Sequence, residues 1–208
     1  MQEAKNIIAK YAKNNKNFFF IQIGAYDGIT GDPIYKLARK YQWRGILVEP
    51  QKDQFKKLKR NYLNQIGLKF ENLAIAKKNE IKIFYGVRAT RYDNNSHGQL
   101  NSFNRNVILK HSHMVANLEK RITENKVRCL SYASLLKKHK VKKIDLLQID
   151  TEGFDFEIIK QINFKKLRPK MIFFEYKHLS EKDKKKCKKI LEQEGYKLIT
   201  KRFNAFAF

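Results

Sequence analysis

The 208-residue sequence is poor in cysteine, in acidic residues and in long apolar runs, and each shortage narrows its function. Its two cysteines, Cys129 and Cys187, are far apart and in no C-x-x-C pair, which excludes a disulfide framework and a cysteine zinc site. No apolar run approaches the roughly 20 residues that span a bilayer. The first 17 residues, MQEAKNIIAKYAKNNKN, lack the hydrophobic core of a signal peptide and read as a short amphipathic helix with Ile7, Ile8 and Tyr11 on one side. A cytoplasmic protein is the expectation. There is no internal repeat and no low-complexity linker, so residues 18–208 are read as a single domain.

Acids are scarce: 20 Asp and Glu face 45 Lys and Arg, a formal charge of +25. Such a chain suits an anionic partner: nucleic acid, an anionic lipid surface touched peripherally, or an acidic glycan. A general lysine richness explains the same charge. Lysine outnumbers arginine and basic residues do not interleave with aromatics, so specific nucleic-acid reading is the weaker partner.

What is present is a rhythm. Four short apolar runs, FFFIQI (18–23), GILV (45–48), IDLLQI (144–149) and MIFFEY (171–176), lack polar alternation, as strands buried on both faces of a parallel sheet do. Helical patterns fall between and after them, at 33–41, 51–63, 131–139, 154–161 and 180–194. Pro33 and Pro50 fit first helical turns. This βα alternation predicts a doubly wound α/β fold with helices on both faces. Residues 68–85 read as a third strand and an antiparallel one, 86–104 as a long polar loop, and the tail YKLITKRFNAFAF as a hairpin at the sheet edge.

The few acids are placed where the rhythm changes. Asp27, Glu49, Asp150 and Glu175 follow the four buried runs, and parallel strands bring their exits to one edge, where open α/β sheets bind ligands. One such acid is explained by helix capping; four at four exits are not. Glu49 lies about 20 residues past the glycine turn, the place of a carboxylate that takes ribose hydroxyls. The turn itself, Gly24-Ala25-Tyr26-Asp27-Gly28, is not G-x-G-x-x-G. An aspartate there would repel a pyrophosphate but suits S-adenosylmethionine, which carries a sulfonium and an ammonium instead.

With these residues the chain resembles the FkbM-type methyltransferases, a branch of the S-adenosylmethionine-dependent class I fold. IGAYDG (23–28), WRGILVEP (43–50), ENLAIA (71–76), QLNSFNRNVILKH (99–111), IDLLQIDTEGFDFEII (144–159) and FFEYKHL (173–179) carry the resemblance. It implies a Rossmann-like seven-stranded sheet with the last strand antiparallel. It also implies a cofactor site lined by Gly24, Asp27, Gly28 and Glu49, with Asn72 and Ala74 at the adenine. Asn101 departs from the pattern, standing where a second serine is expected. The resemblance implies O-methylation of a sugar, glycan or glycosylated metabolite hydroxyl.

Such chemistry is helped by a base. The candidates are Asp150, Glu152, Glu175 and His178, with His178 the best single base because imidazole titrates near neutrality; Asp150 also borders the cofactor. Asp150, Glu152 and His178 offer mixed oxygen and nitrogen donors, yet carboxylate pairs beside a glycine recur at strand–helix turns, and no metal is expected. Ser102, Arg105 and His111 are read as substrate contacts, with Ser102 equally placed to cap a helix. His97, His113 and His139 are read as structural or exposed. An RNA methyltransferase or RNA-binding protein is the alternative drawn from the charge.

Overall fold

The computed structural model describes residues 2–88 and 100–208. Its centre is a seven-stranded sheet in the order β3-β2-β1-β7-β8-β10-β9. The strands are β1 (Phe19–Ile23), β2 (Arg44–Val48), β3 (Leu68–Glu71), β7 (Leu146–Ile149), β8 (Met171–Glu175), β9 (Leu198–Lys201) and β10 (Asn204–Ala207). β1 pairs in parallel with β2 and β7, β2 with β3, and β7 with β8. β10 alone runs opposite to the other six strands, inserted between β8 and β9. The tail hairpin therefore enters the sheet by its last strand, with β9 outermost. This is a Rossmann-like class I methyltransferase architecture.

The predicted strands are buried because helices cover both sheet faces. Ile21, Ile23, Ile46, Val48, Leu147, Ile149, Ile172 and Phe174 belong to one core cluster, sealed by α6 (Tyr132–Lys138), α7 (Asp155–Ile159) and α8 (Glu181–Gln193). Phe20, Leu47, Leu146, Phe173 and Phe206 point the other way, into a cluster closed by α1 (Gln2–Lys13), α2 (Tyr35–Lys40) and α3 (Lys52–Asn61). Successive strand residues alternate between the faces. α1 buries Ala4, Ile8 and Ala12, and its Tyr11 hydroxyl donates to Asp145 at 3.2 Å.

A second sheet was not foreseen. β6 (Ile122–Leu130) pairs in parallel with β4 (Ala74–Ile75) and antiparallel with β5 (Glu80–Val87). Two short helices, α4 (Arg105–Leu109) and α5 (Leu118–Arg121), precede β6. Of the loop predicted over 86–104, β5 claims 86–87, and residues 89–99, which include His97, lie outside the described residues.

Candidate active site

The strand exits shape one cleft at the carboxyl edge of the sheet, lined by Gly24, Glu49, Ala74, Asp150 and Glu152 among others. The sheet order reverses between β1 and β7, the switch point at which such sheets bind ligands. Gly24 sits where the exit of β1 meets the exit of β7. Its φ is +79°, and a Cβ there would lie 1.7 Å from the Asp150 carbonyl oxygen. Only glycine lets the turn and the β7 exit touch.

Glu49 leaves β2 directly into the cleft and is 3% exposed. Its Oε2 accepts the Tyr26 N–H and its Oε1 the Gln51 N–H, each at 2.8 Å. Burial pushes its carboxyl up to about 7, against the lowering effect of those two hydrogen bonds, with Asp27 adding to the rise. Asn72 stands behind this exit, its side-chain amide donating to the Glu49 and Pro50 carbonyls. It holds the β2 exit without lining the cleft, whereas Ala74 lines it.

Asp27 and Gly28 have different work from that expected. The Asp27 carboxylate is turned onto its own turn, accepting from the Ile29 and Thr30 N–H groups and the Thr30 hydroxyl. Those hydrogen bonds, opposing burial, hold its carboxyl below the usual range. A Cβ on Gly28 would lie 2.6 Å from Leu58 and 2.7 Å from Tyr62, so Gly28 admits α3. The acid that does line this side of the cleft is Asp32, missed in the sequence. It accepts from Gln22 Nε2 at 2.6 Å and from the Ile34 and Tyr35 N–H groups. Burial raises it to about 6. The signal was a second acid within the D-G-I-T-G-D turn, just before Pro33.

The β7 and β8 exits form the cleft's acidic wall. Asp150 opens onto the cleft yet is walled elsewhere by protein, and burial, then the charges of Glu175, Asp155 and Glu152, raise its carboxyl well above the usual range. Glu175 is pushed up to about 7, by burial first and then by Glu152. His178 Nε2 lies 2.8 Å from Glu152 Oε2 and 3.5 Å from Glu175 Oε2. His178 thus faces the acid pair, and only Glu152 of these three borders the cleft. Glu152 adopts φ +50° and Gly153 φ +104°, a left-handed turn that swings the Glu152 side chain toward His178.

The expected substrate contacts spread out. Ser102 is buried, its backbone bridged to Tyr85, and its Oγ accepts the Asn104 N–H. Asn104, not Ser102, caps α4. Arg105 Nη2 lies 3.4 Å from Glu119, an exposed pairing away from the cleft. His111 sets its ring edge-on to His178 at 6.2 Å, and burial lowers its pKa. His139 pairs with Glu71 at 2.7 Å, and His113 Nδ1 lies 3.1 Å from the Lys110 carbonyl. The same 100–104 stretch brings Phe103 to the cleft, ring to ring with Phe84 at 5.1 Å and with Phe154 at 5.7 Å.

A family model described as the methyltransferase FkbM domain matches residues 22–198. The chain belongs to this family. Its cofactor is accordingly S-adenosylmethionine, and the residues fit that group. Glycine-only contact at Gly24, a carboxylate at the β2 exit and an apolar Ala74 wall make room for a nucleoside without phosphates. Among solved structures, the FkbM methyltransferase of Methylobacillus flagellatus aligns with this family member at TM-score 0.58 and 10% identity, over 93% of this chain and 44% of that one. The N-terminal domain of human METTL16, in complex with SAH, aligns at TM-score 0.50 and 13% identity, over 99% of this chain and 67% of that one. No curated protein sequence matches. The FkbM chain described here thus spans under half the length of the bacterial FkbM structure.

Proposed function

We propose that this methyltransferase acts on a hydroxyl of a sugar, glycan or glycosylated metabolite. S-adenosylmethionine supplies an electrophilic methyl carbon when bound. Gly24, Glu49 and Ala74 are the residues to hold it, with Asn72 fixing the Glu49 backbone. The acceptor's proton then needs a base at the cleft. The sequence favours His178, but its Nε2 is turned onto Glu152 and Glu175, so the assignment passes to Asp150. Asp150 opens into the cleft, and its raised carboxyl is a stronger base than an ordinary aspartate. Glu152 shares the cleft with it, and Glu175 and His178 stand behind.

One observation carries the choice of acceptor: Asp150 and Glu152 share the cleft with the rings of Phe84, Phe103 and Phe154. Carboxylates take sugar hydroxyls, and aromatic faces take the apolar C–H face of a pyranose. A polyanion would meet repulsion at these acids. The +25 charge favours a second reading, methylation of RNA, in which the same rings stack a base. Transfer of labelled methyl from S-adenosylmethionine into cell extract, fractionated into glycan, metabolite, lipid and RNA, separates the two. Label in the glycan or glycosylated-metabolite fraction is expected. Label confined to RNA reverses the ranking.

A further inference from the structure

We infer that Glu152, Glu175 and His178 bind one divalent transition-metal ion at the β7–β8 edge of the cleft. The site is built from adjacent parallel strands. Glu175 ends β8, His178 follows three residues later before α8, and Glu152 comes from the turn after β7. One donor atom from each lies within 4.8 Å of the others, with His178 Nε2 2.8 Å and 3.5 Å from the two carboxylate oxygens. Metal–ligand bonds of about 2.0–2.2 Å put donors about 3 Å apart when adjacent and about 4 Å when opposite. The two His178 separations fit neighbouring ligands of one shared ion.

Unmet polar atoms point to the same place. Glu175 is 7% exposed, and among the described residues its buried Oε2 has no hydrogen-bond donor, nor does buried His178 Nε2 have an aligned partner. Leaving such atoms unpaired is costly. Lys177 already takes the other oxygen, Glu175 Oε1, at 2.8 Å, so Oε2 is left for a different cation. A histidinium is an incomplete answer: Nε2 has one hydrogen and faces two carboxylates. An ion between the three donors satisfies all of them.

The donor set selects the ion class. Two carboxylates and an imidazole suit Mn²⁺ or Fe²⁺ better than Mg²⁺ or Ca²⁺, which prefer oxygen alone, and no thiolate is present for soft ions. Three protein ligands leave positions for water or for a hydroxyl oxygen, and Glu152 borders the cleft. The ion's role there, lowering the pKa of the acceptor hydroxyl so that Asp150 takes its proton, rests on the proposed function. The site itself does not.

The test is Mn²⁺ binding to chelator-treated, re-purified protein, read by the electron paramagnetic resonance of free Mn²⁺ and by calorimetry. One ion per chain is expected. Glu152→Gln and His178→Ala should each weaken binding about 10-fold or more, while exposed Asp53→Asn leaves it unchanged. Circular dichroism and the melting shift with S-adenosylmethionine report that the variants remain folded. Absence of Mn²⁺ binding at millimolar concentration, or binding unaffected by both variants, overturns the site. If the cofactor shift persists without Mn²⁺ binding, the metal site alone falls. If Mn²⁺ binds as expected but the cofactor does not, the methyltransferase reading falls and the metal site stands.

Discussion

The Glu49 carboxylate and the Tyr26 backbone amide meet at 2.8 Å, tying the exit of β2 to the glycine turn after β1. The contact joins two of the acid-bearing exits into one cofactor wall, and it makes Glu49 a titrating switch. Burial sets its carboxyl at about 7, so below that pH the group is neutral and one of its oxygens no longer accepts freely. S-adenosylmethionine affinity is expected to weaken as pH falls through 7, approaching about tenfold per unit. Glu49→Gln should remove the dependence. Calorimetric titrations across neutral pH check both.

Stability should run opposite to the affinity. Asp32 at about 6, and Glu49 and Glu175 at about 7, are raised by burial above their ordinary values of 3.8 and 4.5. The folded state therefore keeps protons that the unfolded chain has released. The stability these groups contribute is fully present below the unfolded values and is lost as pH rises through 6 and 7. Scanning calorimetry of ligand-free, chelator-treated protein should show the melting temperature falling between mildly acidic and mildly alkaline pH. Asp32→Asn should flatten part of that fall. Asp27, Glu71 and Glu157, lowered by their hydrogen bonds and cations, act in the opposite sense only at more acidic pH.

Two glycines of the same turn separate backbone strain from steric exclusion. Gly24 and Gly31 both have positive φ, +79° and +70°. A Cβ on Gly24 strikes the Asp150 carbonyl, whereas one on Gly31 meets nothing within 4 Å. Gly31→Ala should cost about 1 kcal/mol, the backbone penalty alone. Gly24→Ala should cost at least about 3 kcal/mol and abolish cofactor binding. Denaturant unfolding of the two variants gives the comparison.

Asp150→Asn tests the proton acceptor. Turnover should drop about 100-fold or more while S-adenosylmethionine affinity holds, because asparagine keeps the shape but not the base. A parallel loss of affinity would make Asp150 a cofactor ligand instead.

Legibility followed burial. β1, β2, β7 and β8 were readable because strands covered on both faces are continuous apolar runs, and their exits carried the acids. β6 was not, since ITENKVRCL buries only Val127 and Cys129 and looks like surface. The roles of the turn acids were hidden for another reason. Asp27 and Asp32 differ in sequence by position alone, and only folding turns one onto Thr30 and the other toward Gln22. Likewise, Asn104 rather than Ser102 took the helix cap because Ser102 is held in a bridge with Tyr85. Arg105 found Glu119, a partner 14 residues away that no local pattern announces.

Strand-exit acids build the cofactor cleft, and calorimetric titration of S-adenosylmethionine tests it most directly. Wild-type protein should bind one equivalent with saturation, and folded Glu49→Ala should show none. Wild-type protein giving no heat at millimolar cofactor, or Glu49→Ala binding as tightly as wild type, would contradict it.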